Sequence, residues 1–186
     1  MKQIFIMLVG FSRSGKTTLA DKIIKSLPEL TKIDSDSILE FLTKTYPIFQ
    51  DDNSITGSSY QLRQISNKYM QIGLISALLE NGHSVLLDSC NIKMDIRKKI
   101  LAKAKEANTN MQTIIIRHKI DEAILYKNIK VADESLAHGH NWQDVYEKIQ
   151  KPNFDEPKKS EADYLLLHEN NTEQIISEIK ILASSK

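Results

Sequence analysis

Cys90 is the only cysteine in a chain of 186 residues. That excludes an internal disulfide and fits a reducing compartment, so a cytoplasmic location is expected. Net charge is almost absent as well: 25 basic side chains stand against 24 acidic ones, a formal +1. Such a balance gives no footprint for non-specific nucleic-acid binding, although a local basic patch stays compatible with it. No apolar run is long enough to cross a membrane. The short one after Met1 has no small-residue cleavage site and leads straight into a glycine motif, unlike a secretory leader. Internal repeats and low-complexity tracts are missing. So are a Gly-x-Ser-x-Gly elbow and an Asn-Lys-x-Asp run, and the second absence argues against a regulatory GTPase. The five histidines do not form a metal set, because His138-Gly139-His140 lacks the i, i+4 spacing of a helical zinc pair and reads as a loop. The length suits one α/β domain over residues 1–186.

Glycine is scarce, at six residues, yet two of them fall in Gly10-Phe11-Ser12-Arg13-Ser14-Gly15-Lys16-Thr17. This matches G-x-x-x-x-G-K-[ST], whose backbone N–H groups cradle phosphates. Its flanks fit. Ile4 to Val9 is a continuous apolar run of strand length, and Leu19, Ile23 and Ile24 recur at helical spacing until Pro28. Gly10 and Gly15 permit backbone conformations and approaches that a Cβ blocks. Lys16 sets a cation on the β- and γ-phosphates, and Thr17 offers a hydroxyl to Mg²⁺. The expected nucleotide-binding set is Gly10, Phe11, Ser12, Arg13, Ser14, Gly15, Lys16, Thr17 and Thr18, with ATP and Mg²⁺ as cofactors.

Further strands are expected at Leu30–Asp34, Ser84–Asp88, Thr113–Ile116 and Tyr164–Leu167, with helical patterns between them. A helix begins at Ile38, a long loop runs from Thr43 to Ser59, and Asn91 is a candidate cap for the helix carrying Ile96, Ile100 and Ala104. Strands apolar throughout and alternating with helices predict a three-layer α/β/α fold with a five-stranded parallel sheet. Residues from about 119 to 155 form a polar helical lid. Ligands of such sheets bind at strand C-termini, which singles out Asp34 to Ser37, Asp88 to Asn91 and Arg117 to Lys119.

Asp36 is the candidate general base for an attacking hydroxyl, with Asp34 as its competitor; either could instead cap the next helix. Asp88 ends an apolar strand and is placed to hold Mg²⁺ with Thr17, or to serve as a strand-end cap. Arg63 and Asn91 are further candidates on the substrate side, as are Tyr46, Phe49 and Tyr60. Transfer also needs cations on the moving phosphoryl group. The lid offers Lys119, Lys127 and Lys130 and, after Arg117, no arginine at all.

The order of these motifs resembles small P-loop kinases related to polynucleotide kinase and zeta-toxin-like kinases, within the adenylate-kinase-like fold. The likeness is carried by Gly10 to Thr18, Ile33-Asp34-Ser35-Asp36, Val85 to Asn91, and Asn153-Phe154-Asp155-Glu156-Pro157 leading to Glu161. It implies ATP, Mg²⁺, a catalytic aspartate at Asp36 and a helical lid. In polynucleotide kinases a substrate-contacting arginine follows the catalytic aspartate by three residues; here that position is Leu39. The lid's Arg-Asn pair corresponds to Lys127-Asn128. Both departures weaken a nucleic-acid 5′-hydroxyl acceptor. The favoured expectation is a kinase acting on a small-molecule hydroxyl. The alternatives are a polynucleotide 5′-hydroxyl kinase and a partner-activated ATPase or nucleotide switch without an acceptor.

Overall fold

The computed structural model describes residues 2–49, 58–135 and 141–184. Asp51, Asp52, Gly57 and His138-Gly139-His140 lie outside the described residues, as does the side chain of Tyr60. Five strands, β1 (Ile4–Val9), β2 (Leu30–Asp34), β3 (Ser84–Asp88), β4 (Gln112–His118) and β5 (Tyr164–His168), form one sheet in the order β2-β3-β1-β4-β5. Every pairing is parallel.

β1 is the centre of the sheet, and all six of its residues are buried. Ile4, Ile6 and Leu8 face a core shared with α1 (Lys16–Ser26) and α7 (Thr172–Ser184), through Leu19, Ile23 and Ile179. Phe5, Met7 and Val9 face the opposite core, with Ile75 of α3 (Ser58–Glu80) and Ile100 of α4 (Met94–Ala107). This two-sided burial explains why β1 reads as an unbroken apolar run. Each such side chain contributes about 1.5–3 kcal/mol when fully buried.

The register pairs Asp34 with Asp88, which brings the two strand-end acids side by side. α2 (Ser35–Thr45) starts directly after β2, three residues before the expected start at Ile38. Asp34 makes this possible by accepting hydrogen bonds from the Asp36 and Ser37 amides at 2.9 and 3.4 Å. The expected loop from Thr43 is also shorter. α2 runs through Thr45, Pro47–Phe49 forms a 3-10 turn, and α3 begins at Ser58.

Asn91 does not cap α4. It sits at φ 47°, and its amide donates to the Leu8 carbonyl at 2.9 Å, tying the exit of β3 to β1. The first amide of α4, Met94 N–H, donates instead to the Asp155 carboxylate at 2.8 Å. Arg97, fully buried, binds both Glu161 oxygens at 2.8 and 3.0 Å and the Asn91 and Ile92 carbonyls at 3.0 Å each. The loop after β3 is thereby fastened to the segment before β5.

The expected lid consists of α5 (Glu122–Glu134) and a second helical stretch. The latter starts as α6 (Trp142–Asp144), widens to a π-helix over Val145–Gln150 and tightens to a 3-10 turn at Lys151–Asn153. Tyr146 of this stretch, with Leu125 and Ile129 of α5, packs against Phe11 of the glycine loop. No helix among the described residues is long and apolar enough to cross a membrane.

Candidate active site

The glycine loop hangs between β1 and α1. A Cβ at Gly10 would stand 2.9 Å from the His118 carbonyl oxygen, so only glycine fits the approach to β4. Gly15 takes φ 99° and is the N-terminal flank of α1, with no side-chain cap on the helix. The first amides of α1 therefore stay available at the positive end of the helix dipole, the usual setting for an anion.

Side chains hold the loop's carbonyls. Lys16 donates to Phe11 O, Asn128 of α5 donates to Arg13 O at 3.0 Å, and His118 meets Ser14 O at 2.7 Å. Since a carbonyl only accepts, His118 Nε2 carries the hydrogen. His118 Nδ1 then accepts from His168 Nδ1, 2.7 Å away, and His168 Nε2 accepts from the Thr172 hydroxyl at 3.2 Å. This assignment requires both rings to be neutral. Burial agrees, lowering the His118 pKa from 6.5 to about 4 and pushing His168 down as well.

Ser12 is clasped from the π-helical stretch. Its amide donates to Gln150 Oε1 at 2.9 Å, and Gln150 Nε2 donates back to Ser12 Oγ at 2.7 Å. Arg13, at φ 61°, lays its guanidinium 4.2 Å from the centre of the Trp142 ring.

The loop opens on a cleft of about 430 Å³, with walls that include Lys16, Thr17, Asp34, Asp36, Asp88 and Trp142. Asp88 is 4% exposed, and burial raises its pKa against the opposing pull of its hydrogen bond with Thr17 and the charge of Lys16. Its Oδ2 is buried without a hydrogen-bond partner. A hard-oxygen pair with one orphaned carboxylate oxygen fits a divalent cation completed by water and phosphate oxygens. Thr17 and Asp88 are thus the residues able to hold Mg²⁺. Asp36, one residue into the helix that Asp34 caps, is exposed and lines the cleft.

The remaining candidates lie elsewhere. Arg63 is buried on α3 with Nη1 3.5 Å from Phe49 O, and Asn91 is committed to Leu8; neither lines the cleft. Lys127 is exposed on α5, also outside the cleft lining, while its neighbour Asn128 reaches the loop. Sequence reasoning gave no role to Gln150 or to the His118–His168 pair, and it met Asn128 only as half of the Lys127-Asn128 pair. Asn128 left its signal in the resemblance and His118 in its place at a strand end, while the register that sets His168 opposite His118 is visible only in the fold.

The profile of the AAA domain family matches residues 5–152. L-seryl-tRNA(Sec) kinase of Methanococcus maripaludis is 26% identical over 156 residues, which is 80% of this chain and 53% of that protein. The chain thus spans about half the length of this curated relative. Kti12 of Chaetomium thermophilum, solved in complex with ADP-AlF3, superimposes with a TM-score of 0.70 at 17% identity, over 97% of this chain and 100% of that one. APS kinase CysC of Mycobacterium tuberculosis, solved with AMPPNP and APS, gives a TM-score of 0.67 at 16% identity over 99% of both chains. The five-stranded parallel sheet is thus shared with P-loop kinases. Together with the family match over most of its length, this shows that the chain belongs to the AAA domain family, as a kinase-like P-loop NTPase.

Proposed function

We propose that the chain is an ATP-dependent phosphotransferase that moves the γ-phosphate of ATP to a hydroxyl of a small-molecule acceptor. One observation carries this reading. The Asp36 carboxylate stands exposed in the same cleft as Lys16 and Thr17 and makes no hydrogen bond or ion pair among the described residues. Asp34, its competitor, is engaged as the cap of α2. An acceptor oxygen forms the new P–O bond, Asp36 takes its proton, and the bond to the β-phosphate bridging oxygen breaks to release ADP. Lys16 and the amides at the start of α1 bind the phosphates. Mg²⁺ at Thr17 and Asp88 would neutralise the phosphate oxygens. Arg13 is the second cation of the cleft, and Lys127 is the lid cation proposed to join it on closure.

A second reading, an acceptor hydroxyl carried on RNA, is favoured by the similarity to L-seryl-tRNA(Sec) kinase. The near-zero net charge supports the small molecule instead.

The test is ATP turnover by the purified protein with pools of nucleosides, sugars, oligonucleotides and bulk tRNA. The expected result is ADP formation that depends on a small-molecule pool, and an Asp36→Asn variant at least about 100-fold slower. Hydrolysis that ignores every acceptor and rises only with a partner protein overturns the proposal. Transfer to oligonucleotide or tRNA alone replaces it with the second reading.

A further inference from the structure

The cations of the cleft sit on one side. Among the described residues lining it, Arg13 and Lys16 are the only basic ones, and both belong to the glycine loop. The facing wall is built by Ser35, Asp36 and Leu39 of α2 with Gln64 and Asn67 of α3. It presents a carboxylate, a hydroxyl, two amides and one apolar side chain.

The donors of this wall are largely spent on the wall itself. Asn67 Nδ2 donates to the Ser35 carbonyl at 3.1 Å and lies 3.3 Å from Ser35 Oγ. Gln71 Nε2 donates to Asn67 Oδ1 at 2.8 Å and lies 3.2 Å from Ser35 Oγ. What Gln71 leaves over is an acceptor, because its Oε1 is buried without a partner. Two basic side chains of α3 lie close by, but neither lines the cleft. Arg63 reaches Phe49 O, and Lys68 lies near Cys90, which lines the cleft beside Asp88, and near Asp95 of α4. In sequence, residues 50–60 hold Asp51 and Asp52 but no lysine or arginine, and residues 136–140 hold neither basic type.

An anionic acceptor placed with its hydroxyl at Asp36 would meet that carboxylate and the one at Asp34, which stands 4.0 Å from Lys32, and no basic side chain among the described residues lining that wall. The repulsion would act twice, against binding and against ionisation of the base. We infer that the acceptor carries no negative charge near its reactive hydroxyl and is a neutral polyol or an amino alcohol whose ammonium is met by the wall's carboxylates. This rests on the phosphotransferase reading and narrows it.

The experiment gives the purified protein ATP, Mg²⁺ and acceptors that share a skeleton but differ in charge. Glycerol and serinol are set against glycerate and glycerol phosphate, glucose and glucosamine against gluconate and glucose phosphate, and adenosine against AMP. Phosphorylated products are identified by mass. The expected result is at least about tenfold faster transfer to neutral or amine members than to their anionic counterparts. A Gln64→Arg variant, checked for folding by its thermal unfolding, is expected to move that ratio at least about tenfold toward the anions. Preferred transfer to anions by the unaltered chain overturns the inference while leaving the phosphotransferase reading intact. A ratio that Gln64→Arg does not move overturns the assignment of this wall to the acceptor. Hydrolysis without transfer to any member removes the phosphotransferase reading, and the inference falls with it.

Discussion

Gln150 and Ser12, 138 positions apart, meet in a two-point clasp: the Ser12 amide donates to Oε1 and the Gln150 amide donates back to Oγ. The contact joins the glycine loop to the π-helical stretch Val145–Gln150. Phe11 reinforces it, packing edge-on against Tyr146 with ring centres 5.0 Å apart. The glycine loop and the π-helical stretch are therefore held to each other by hydrogen bonds and by ring packing.

Removing the clasp should loosen both. Gln150→Ala leaves the Ser12 amide without its side-chain acceptor and is expected to cost about 1–3 kcal/mol in unfolding free energy. ATP affinity, read by calorimetry, should fall by about tenfold. Gln150→Glu retains the acceptor and loses the donor, so it should lie between the two. Equal affinities in all three proteins would refute the coupling.

Asp34 and Asp36 are two residues apart and should fail differently. Asp34→Ala removes the cap of α2 and is expected to lower stability by about 1 kcal/mol. Asp36→Asn touches no internal partner, so its unfolding midpoint should match that of the parent while transfer is lost. Denaturant unfolding and turnover, measured on the same preparations, separate the roles. A stable but inactive Asp34→Ala beside an active Asp36→Asn would reverse the assignment.

The Arg97–Glu161 pair is almost wholly removed from solvent, with side-chain exposures of 0% and 1%. Glu161→Gln strands a buried guanidinium and is expected to destabilise by about 3–5 kcal/mol. The double change Arg97→Met, Glu161→Leu should cost less than Glu161→Gln alone, because neither charge remains. Urea unfolding of the three proteins tests this, and a double variant less stable than Glu161→Gln would count against a paired role.

Acid should weaken the fold through the histidine pair. His118 titrates at about 4 in the folded chain against an ordinary 6.5. As pH falls below 6.5 the unfolded chain takes up this proton first. The stabilisation is complete above that value and drains away as pH approaches 4, by up to about 1.4 kcal/mol per pH unit. His168, lowered by burial and by the charge of Lys22, acts in the same direction. Urea unfolding at stepped pH should show this slope, and His118→Gln should flatten it. An undiminished slope in the variant would place the titrating group elsewhere.

Much of the frame is legible in the sequence. β1 and β3 fall where their apolar runs end, because a strand covered on both faces admits no polar interruption, whereas β2, at the sheet edge, carries Thr31 and Lys32 between its buried Leu30 and Ile33. The glycine loop was legible because its two glycines answer local demands, a close approach at Gly10 and a left-handed turn at Gly15. Asp34 and Asp88 followed from the rule that strand ends carry the chemistry. Local pattern failed where a partner came from far away. Asn91 has the composition of a cap, but the capping carboxylate belongs to Asp155, which the Arg97–Glu161 pair helps bring over α4.

The sequence by itself determined the sheet, the phosphate loop and the acids at the strand ends, since each rests on contacts with near neighbours or on alternation along a single element. Tertiary structure alone decided which acid is free. Asp34 and Asp36 both line the cleft, and only the direct passage from β2 into α2 makes Asp34 the cap and leaves the Asp36 carboxylate without a partner among the described residues. It also decided what holds the loop: Gln150, Asn128 and His118 act through hydrogen bonds spanning roughly a hundred residues or more, a distance at which no local periodicity survives.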